Sequence, residues 1–391
     1  MILFEEALEI AMASARPVGT ERVELRGALD RILAEDVASD MDMPPFDKSA
    51  MDGCACRKGD LGNELAIVET IPGGSVPKKS IGENQCAKIM TGAMVPPGAD
   101  CVIMVEYTEN PTENTVRFTG QETRDNICVK AEDIKAGDVV LRKAERITPA
   151  HVALLASVGC ARPLVSRKAR VGIIATGNEL VEPDQCPPPS HIRNSNGYQL
   201  VAQAERMAVA PRYHGIAKDS EEALDAIVEE AVAGSDMILL SGGVSMGEFD
   251  LVPDALRRNG FELLFEKVAI KPGMPTVFGV SNRALCLGLP GNPVSTFVLF
   301  EVLVKPLLFK MMGHDFKPRN IVMPLGKAVK RKKTNRMSWM PVVLSDTGGI
   351  VPVEYHGSAH IHSLCSADGL ISMPVGVAEI KQGTNVHVRP V

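Results

Sequence analysis

Three short stretches, KARVGIIATGNEL (168–180), SDMILLSGG (235–243) and ALCLGLPGNPVS (284–295), decide the fold of this chain. Each is an apolar run of strand length that ends in a glycine turn, and helical periodicity fills the segments between them. Strands that alternate with helices indicate a parallel sheet with helices on both faces. We therefore predict an α/β domain over residues 168–313, whose last element is a long apolar helix that starts at Pro293.

The segments on either side of this domain have a different texture. Residues 44–140 are rich in glycine and proline, with short apolar runs such as LAIVETI and QCAKIM, and we predict an all-β segment. Residues 314–391 return to short strands, which is typical of a small barrel or sandwich. Residues 1–43 and 141–167 are predicted to be helical and to form one split subdomain, into which the β segment is inserted.

Two helical signals support that split subdomain. Apolar stripes run through FEEALEIAMASA near the N-terminus and through a second run over 25–33. A further short helix is predicted where Thr148 can cap, Pro149 suits the first position and Gly159 suits the stop.

Composition excludes several classes of protein. The chain has 391 residues, a formal net charge of −6, 45% hydrophobic residues and 4% aromatic residues with a single tryptophan, Trp339. These values are ordinary for a folded globular protein and unlike those of a nucleic-acid binder built on basic or aromatic surfaces. No stretch is long and apolar enough to cross a membrane, and the acidic N-terminus does not resemble a signal peptide. We expect a cytoplasmic protein that binds neither nucleic acid nor membrane.

The nine cysteines do not form a recognisable framework. Their number is odd, and no CxxC pair occurs; the closest spacing is Cys54-Ala55-Cys56. This pattern disfavours both a disulfide scaffold and a cysteine zinc site. We expect nine reduced, mostly packed thiols.

Three glycine loops at predicted strand ends suggest an anion site. They are ATGNEL (175–180), LSGGVSMGEFD (240–250) and LGLPGNPVS (287–295). Parallel sheets bind ligands outside the carboxyl ends of their strands, where glycine lets backbone N–H groups approach an anion. Tight strand-to-helix turns also need glycine, but three such loops together favour a phosphate or oxyanion site. Neither GxGxxG nor GxxxxGK[ST] occurs, so a dinucleotide fingerprint and a P-loop are unsupported.

Charged residues accompany these loops. Glu179, Asp219 and Asp250 are possible Mg²⁺ ligands beside a phosphate, although helix capping is an alternative role for them. Lys271, after another strand end, could hold an oxyanion; a plain surface lysine is the alternative.

A second polar cluster lies in the β segment. PPFDKSAMDG (44–53) brings Asp47, Lys48, Ser49 and Asp52 into one loop, and KIMTGAMVPPGADCVIMVE (88–106) places Thr91 and Gly92 in another. Loops with this many polar residues are candidates for function.

Two other features are ambiguous. His356, His360 and His362 have a spacing that could mimic metal ligands, but solvated or packed histidines are commoner. The run Lys330, Arg331, Lys332, Lys333 is most often a solvated turn, although beside an anion site it would steer anions.

Together and in this order, the loops resemble a known family. PPFDKSAMDG, IMTGAMVPPGADCVIMVE, IATGNELVEP, LLSGGVSMGEFD, AIKPGMPTVFG and LPGNPVSTFVLFEVLVKPLL are similar to motifs of the molybdopterin molybdenumtransferases, the MoeA family that includes the gephyrin E domain. The resemblance spans nearly the whole chain, and the combination of motifs is very specific.

The resemblance implies the last step of molybdenum cofactor synthesis. Adenylylated molybdopterin binds with Mg²⁺, molybdate is inserted at the dithiolene, and AMP is released. The protein would supply positioning and charge compensation.

The resemblance also implies roles for individual residues. Functionally important positions match Asp52, Thr91, Glu179, Asp219, Asp250 and Lys271, of which Glu179 and Asp219 are assigned to Mg²⁺. The predicted substrate-binding residues are Thr176, Gly177, Ser241, Gly242, Gly243, Ser245, Pro290, Gly291, Asn292, Pro293, Arg336 and Ser358. Among these, Lys271, Arg336 and Ser358 match positions linked to the molybdate pocket.

Two positions depart from the family pattern. Many members have KPGKP where this chain has Met274 in place of the second lysine, and a thioether cannot hold molybdate as an ammonium would. MDGYA of the family is MDGCA here, so Cys54 replaces an aromatic residue close to Asp52.

The family fold implies four subdomains with a C-terminal β-barrel, and a homodimer in which the α/β domain of one subunit and the β segment of the other share an active site. Partners could include the molybdopterin adenylyltransferase and molybdoenzyme acceptors. The alternatives are a tungstate-selective insertase, the enzyme that adenylylates molybdopterin, or a molybdopterin-binding scaffold without catalysis.

Overall fold

A computed structural model describes residues 1–244, 251–346, 348–354 and 357–391 of the chain. It is a mixed α/β protein that divides into two compact units. The first, here the α/β unit, comprises residues 1–34, 144–148 and 164–391. The second, here the β unit, comprises residues 35–143 and 149–163. The four-subdomain division predicted above is finer than this one and stays a prediction.

A mixed sheet forms the centre of the α/β unit. Its described strands, in spatial order, are Ala210–Ala217, Arg170–Thr176, Met237–Ser241, Leu285–Leu289, Val277–Val280 and Glu262–Phe265. The first four are parallel, as predicted from the alternating pattern. Val277–Val280 pairs antiparallel with both Leu285–Leu289 and Glu262–Phe265, which the apolar runs did not indicate. Glycine turns therefore end the strands Arg170–Thr176, Met237–Ser241 and Leu285–Leu289 at the same edge.

Helices cover this sheet and enclose its apolar side chains. They are Phe4–Ala13, Asn196–Glu205, Glu221–Gly234, Val252–Arg258 and the long C-terminal helix of the sheet domain. Ser220 caps the third of these by accepting a hydrogen bond from the Ala223 N–H at 3.2 Å. No helix of the described residues is both long and apolar enough to cross a membrane.

The long helix that starts at Pro293 has three consecutive segments, of which the middle one differs in hydrogen-bond spacing. Pro293–Leu299 is α-helical, Phe300–Val304 is a π-helical turn, and Lys305–Met311 is α-helical again. Pro306 has no N–H to donate, and a local change of hydrogen-bond spacing accommodates it. Buried Glu301 in this turn accepts hydrogen bonds from Lys305 Nζ at 2.8 Å and Gln203 Nε2 at 3.0 Å, so its charge is compensated.

The C-terminal part of the α/β unit is a second sheet. Its described strands run Ile270–Lys271, Met337–Leu344, Gly369–Met373, Asn385–Pro390 and Ile321–Pro324, with Ile350–Pro352 paired to the second of them. A short pair, Val329–Lys330 with Glu379–Ile380, lies beside it. The strands found over residues 321–390 agree with the short strands predicted for residues 314–391, whereas Ile270–Lys271 joins this sheet from the predicted α/β domain.

The β unit contains its own sheet and the helix Pro149–Ser157. The described strands are ordered Cys101–Met104, Gly53–Cys56, Gln85–Ile89, Glu64–Ile71, Thr115–Phe118 and Thr108–Thr112. The helix begins at Pro149 and is followed by Gly159 with φ of +76°, as the sequence predicts. No disulfide joins any of the nine cysteines, all of which lie among the described residues, and Cys54, Cys56, Cys86 and Cys101 pack within this sheet.

The helix predicted over residues 25–33 is wrong. Only Leu25–Gly27 forms a short 3-10 turn, and Asp30 has φ of +64°, which an α-helix cannot contain. Ile32 and Leu33 instead make β-bridges to Arg146 and Val165. The apolar residues over 25–33 do not form one buried helix face, since the side chain of Leu29 is 47% exposed.

At the edge opposite the glycine turns, Asp236 joins two strands of the central sheet. Its carboxylate accepts hydrogen bonds from Arg167 at 2.9 and 3.0 Å and from the Arg170 N–H at 2.8 Å. Burial raises the pKa of Asp236, but the Arg167 and Arg170 hydrogen bonds outweigh burial and lower the pKa below its ordinary value of 3.8. The ionised carboxylate therefore stabilises the start of the sheet.

Asp236→Asn should lower the free energy of unfolding at neutral pH by about 2 kcal/mol, because two arginines lose the charge of a half-buried carboxylate. The pKa of Asp236 is lower in the folded state than in the unfolded chain. The ionised carboxylate therefore stabilises the fold at pH values above its ordinary pKa, and this stabilisation is lost as the pH falls through its folded-state pKa. The difference in free energy of unfolding between wild type and variant should therefore shrink below about pH 4. Urea unfolding followed across this pH range measures it.

Asp254→Asn is the matched control, since the ion pair of Asp254 with Arg257 is its only one among the described residues and is exposed. Its effect should stay below about 0.5 kcal/mol. The role of Asp236 would be contradicted if both variants lost the same free energy of unfolding. It would also be contradicted if the destabilisation by Asp236→Asn persisted below about pH 4.

Candidate functional site

A cavity of about 630 Å³, here the first cavity, opens where the three glycine turns meet. Eleven of the predicted residues line it: Thr176, Gly177, Glu179, Asp219, Ser241, Gly242, Gly243, Pro290, Gly291, Asn292 and Pro293. They come from four separate stretches of chain, which the parallel sheet brings to one edge. The placement is as the sequence predicts; the roles of these residues stay predictions.

Glycine is required where two of these turns touch. Gly242 has φ of +105°, and a Cβ there would stand 2.7 Å from Thr176 Oγ1 and closer still to the Thr176 carbonyl oxygen. Gly243 has φ of +62° and would bring a Cβ to 2.9 Å from Val252. Only glycine allows the backbone to approach so closely in this conformation.

Several backbone N–H groups at these turns have no acceptor among the residues that the structure describes. Among the described residues, no acceptor takes the N–H groups of Gly243, Gly291 or Asn292, whereas the Gly242 N–H is used by the Leu289 carbonyl at 3.0 Å. The buried Thr176 Oγ1 likewise has no partner in the described part of the chain. Unused donors at a glycine-rich cavity are suited to an anionic ligand.

Asn196 holds the cavity wall together and was missed by the sequence analysis. Its Nδ2 donates to Ser241 Oγ and to the Gly291 carbonyl, both at 2.7 Å, so one side chain links two of the turns. Asn194, also missed, fixes the start of the same helix, because its Oδ1 accepts a hydrogen bond from the Gly197 N–H at 3.0 Å. The polar run NSN directly before a predicted helix was the available signal.

The two predicted Mg²⁺ ligands line this cavity together. Asp219 Oδ2 accepts the Asn178 N–H at 3.0 Å, and the Asp219 N–H donates to Asn178 Oδ1 at 3.1 Å. These bonds fix the Asp219 carboxylate, and no residue that the structure describes donates to its other oxygen. Carboxylate oxygens suit Mg²⁺, which commonly takes one or two of them and completes its shell with water and substrate phosphate. No group of three or more potential metal ligands occurs within the described residues.

A second cavity, of about 570 Å³, adjoins the first and shares Pro275, Pro290 and Asn292 with it. Lys271, Arg336 and Ser358 line this second cavity, together with Met274. The short strand Ile270–Lys271 runs parallel to the start of Met337–Leu344 and sets Lys271 opposite Ser338. The three residues that the resemblance links to molybdate therefore lie around one space.

The predicted polar pair of the β unit is also in contact. Asp52 Oδ1 accepts hydrogen bonds from the Thr91 N–H at 2.6 Å and from Thr91 Oγ1 at 2.8 Å. These two bonds, the backbone one first, lower the pKa of Asp52, which stays ionised on an exposed surface. Of the other loop residues, Asp47 accepts the Lys130 N–H at 2.7 Å, and Ser49 pairs with the Thr91 loop through its backbone.

Some predicted residues cannot be placed. Ser245, Asp250 and His356 lie outside the described residues. His360, directly before the turn Ile361–Leu364, and His362, within it, are exposed and belong to no metal-ligand group of the described chain.

Comparisons with known proteins cover almost the whole chain. Residues 2–159 match the family description "MoeA N-terminal region (domain I and II)", residues 172–310 match "Probable molybdopterin binding domain", and residues 323–391 match "MoeA C-terminal region (domain IV)".

Individual relatives agree with these matches. The chain is 34% identical to a molybdopterin molybdenumtransferase of Staphylococcus epidermidis, over 99% of this chain and 95% of the relative. It is 36% identical to one of Bacillus subtilis, over 94% of this chain and 89% of the relative. Its fold matches the crystal structure of a molybdopterin biosynthesis moeA protein from Pyrococcus horikoshii OT3 with a TM-score of 0.85, at 28% identity and with 100% of both chains covered.

Gly242→Ala should destabilise the protein by at least about 2 kcal/mol, because the new Cβ meets the Thr176 backbone and the φ of Gly242 disfavours a side chain. Gly291→Ala is the control, since a Cβ there meets only the Gly242 Cα, at 3.8 Å. Thermal unfolding followed by circular dichroism compares the two. A wild-type melting temperature for Gly242→Ala would show that the turns do not touch.

Thr91→Val should raise the pKa of Asp52 by removing one of its two hydrogen bonds, while Thr91→Ser should leave the pKa low. The backbone N–H remains in both variants, so the rise should be partial. Carbon-13 NMR titration of the aspartate carboxyl groups measures it. Identical Asp52 titration in wild type and Thr91→Val would mean that the hydroxyl does not face the carboxylate.

Proposed function

The chain belongs to the MoeA family, and from that premise we propose that it is a molybdopterin molybdenumtransferase, which inserts molybdenum during molybdenum cofactor biosynthesis. Its substrates are adenylylated molybdopterin and molybdate, and its second product is AMP. The observation that carries the proposal is the pair of adjoining cavities, one lined by unused backbone donors and two carboxylates, the other by Lys271 and Arg336.

The first cavity suits the phosphate-bearing substrate. The N–H groups of Gly243, Gly291 and Asn292 can donate to phosphate oxygens without any side chain to desolvate. Asn196 keeps two of the turns at a fixed separation, so these donors are already positioned before the substrate arrives.

The second cavity suits the oxyanion. Lys271 and Arg336 supply positive charge, and Ser358 supplies a hydroxyl that can donate or accept a hydrogen bond. Because Pro290 and Asn292 line both cavities, an oxyanion here would lie next to a substrate held in the first.

The proposed reaction needs no covalent nucleophile from the protein and no change of oxidation state. The two dithiolene sulfurs bond to molybdenum as two molybdate oxygens leave as water, with two protons from the thiols and two from solvent. One further water molecule cleaves the anhydride between the two phosphates and releases AMP. The residues described here would bind and orient both substrates and offset their charge.

Mg²⁺ is part of the proposal. Glu179 and Asp219 would hold it, because both carboxylates face the cavity that would contain the phosphates. When bound, the ion would neutralise phosphate charge.

The proposal also includes finer points of architecture. Closure of the C-terminal sheet into a barrel is supported by the bridge between Leu325 and Ile350 and by the Gly326 N–H, which donates to the Ile350 carbonyl at 2.7 Å. The homodimer, the cytoplasmic location, the adenylyltransferase partner and the molybdoenzyme acceptors enter the proposal from the family resemblance alone.

Purified protein should release AMP from adenylylated molybdopterin only when molybdate and Mg²⁺ are present. Glu179→Gln should slow release about a hundredfold, because it removes a charge that would organise the reacting phosphates. Glu229→Gln, on the exposed face of a helix, is the charge-matched control and should retain full activity. Release is followed by chromatography of the nucleotide.

Substrate binding with no AMP release under either molybdate or tungstate would contradict the proposal and indicate a molybdopterin-binding scaffold. Release that depends on tungstate but not molybdate would contradict it in favour of a tungstate-selective insertase.

A further inference from the structure

A third cavity, of about 310 Å³, lies beside the second and is lined almost wholly by cations. Lys271 and Arg336 line both spaces, so the two cavities share a wall. The full lining is Lys271, Lys330, Arg331, Lys332, Lys333, Arg336 and Ser338, and no carboxylate of the described chain contributes to it. The run of residues 330–333, for which the sequence left both a solvated turn and an anion-steering role open, therefore lies next to the predicted oxyanion pocket.

Arg331 anchors this run to the protein. Its guanidinium donates to the Val377 carbonyl at 2.7 Å, the Arg336 carbonyl at 2.6 Å and Ser338 Oγ at 2.9 Å, and it also contacts the Pro374 carbonyl. None of these acceptors is charged. Arg331 therefore fixes the backbone next to Lys332 while its own positive charge remains uncompensated.

Four of the neighbouring cations also have no counter-charge among the residues that the structure describes. Lys330 pairs with Glu379 at 3.2 Å, but Lys332, Lys333, Lys271 and Arg336 form no ion pair with any carboxylate that the structure describes. Lys332 and Lys333 are exposed. The protein as a whole carries a net charge of −6, so this is a local concentration of positive charge on an otherwise acidic molecule.

We propose that Lys332 and Lys333 gather free tetrahedral oxyanion from solution and raise its local concentration at the second cavity. This inference rests on the proposed function. A cleft lined by charge of one sign concentrates ions of the opposite sign, and a divalent anion feels twice the attraction of a monovalent one. The two lysines act on the approach of the ion, whereas Lys271 and Arg336 face the space in which it would be held.

A phosphate group of the organic substrate has similar chemistry, but its location differs. The third cavity shares no lining residue with the first cavity, in which the phosphates would lie, and two with the second. The lysines should therefore favour the free oxyanion over a phosphate ester.

Equilibrium dialysis against molybdate, with bound molybdenum measured by mass spectrometry, tests this without relying on catalysis. The double variant Lys332→Gln with Lys333→Gln should bind molybdate about tenfold more weakly at about 0.02 M ionic strength. At about 0.5 M salt the difference from wild type should fall within about twofold, because the charges are exposed. Its affinity for AMP should not change.

The control is Lys327→Gln with Lys381→Gln, which removes the same charge from exposed positions that line none of these cavities. Adding Met274→Lys to the first double variant should restore molybdate binding, since Met274 lines the second cavity.

If both double variants bind molybdate equally well, or if the loss persists at high salt, the inference fails. An equal loss of AMP affinity would assign the lysines to the phosphate ester and also overturn it. If the wild-type protein itself binds no molybdate, the proposed function fails as well, and the two failures are distinguished in one experiment.

Discussion

The close contact between the turn after Thr176 and the turn at Gly242 and Gly243 is the constraint on which the site depends. A side chain at Gly242 would displace the Thr176 backbone, and the cavity would then lose the positions of its unused N–H groups. Asn196 maintains the third turn at the correct distance through its bonds to Ser241 and Gly291. The backbone binding groups are thus positioned by close packing of two turns and by the Asn196 hydrogen bonds.

Charge is distributed between neighbouring spaces in a way that matches two different anions. Backbone donors and two carboxylates line the first cavity, which suits a phosphate accompanied by a metal ion. Cationic side chains line the second and third cavities, which suits an oxyanion without a metal. Because the carboxylates and the lysines line different cavities, each cavity keeps its own electrostatic potential. Ion pairs between the two groups would neutralise both.

Much of the fold was predictable because its signals are local. Apolar runs mark the strands Arg170–Thr176, Met237–Ser241 and Leu285–Leu289, and glycine marks their ends. The antiparallel strand pair at the sheet edge was not predictable, since an apolar run does not encode the direction of its partner. Asn196 was missed for a similar reason: its contacts lie 45 and 95 residues away in the chain, and its importance appears only in the folded structure.

Amide hydrogen exchange of the complete chain, with and without adenylylated molybdopterin, tests the central claim most directly. If backbone N–H groups at the three turns bind the phosphates, the amides of Gly243, Gly291 and Asn292 should exchange more slowly when the substrate is bound. The Gly242 amide, which already donates to Leu289, should change much less. Unchanged exchange at Gly243, Gly291 and Asn292 in a saturated complex would contradict the assignment of this cavity as the substrate site.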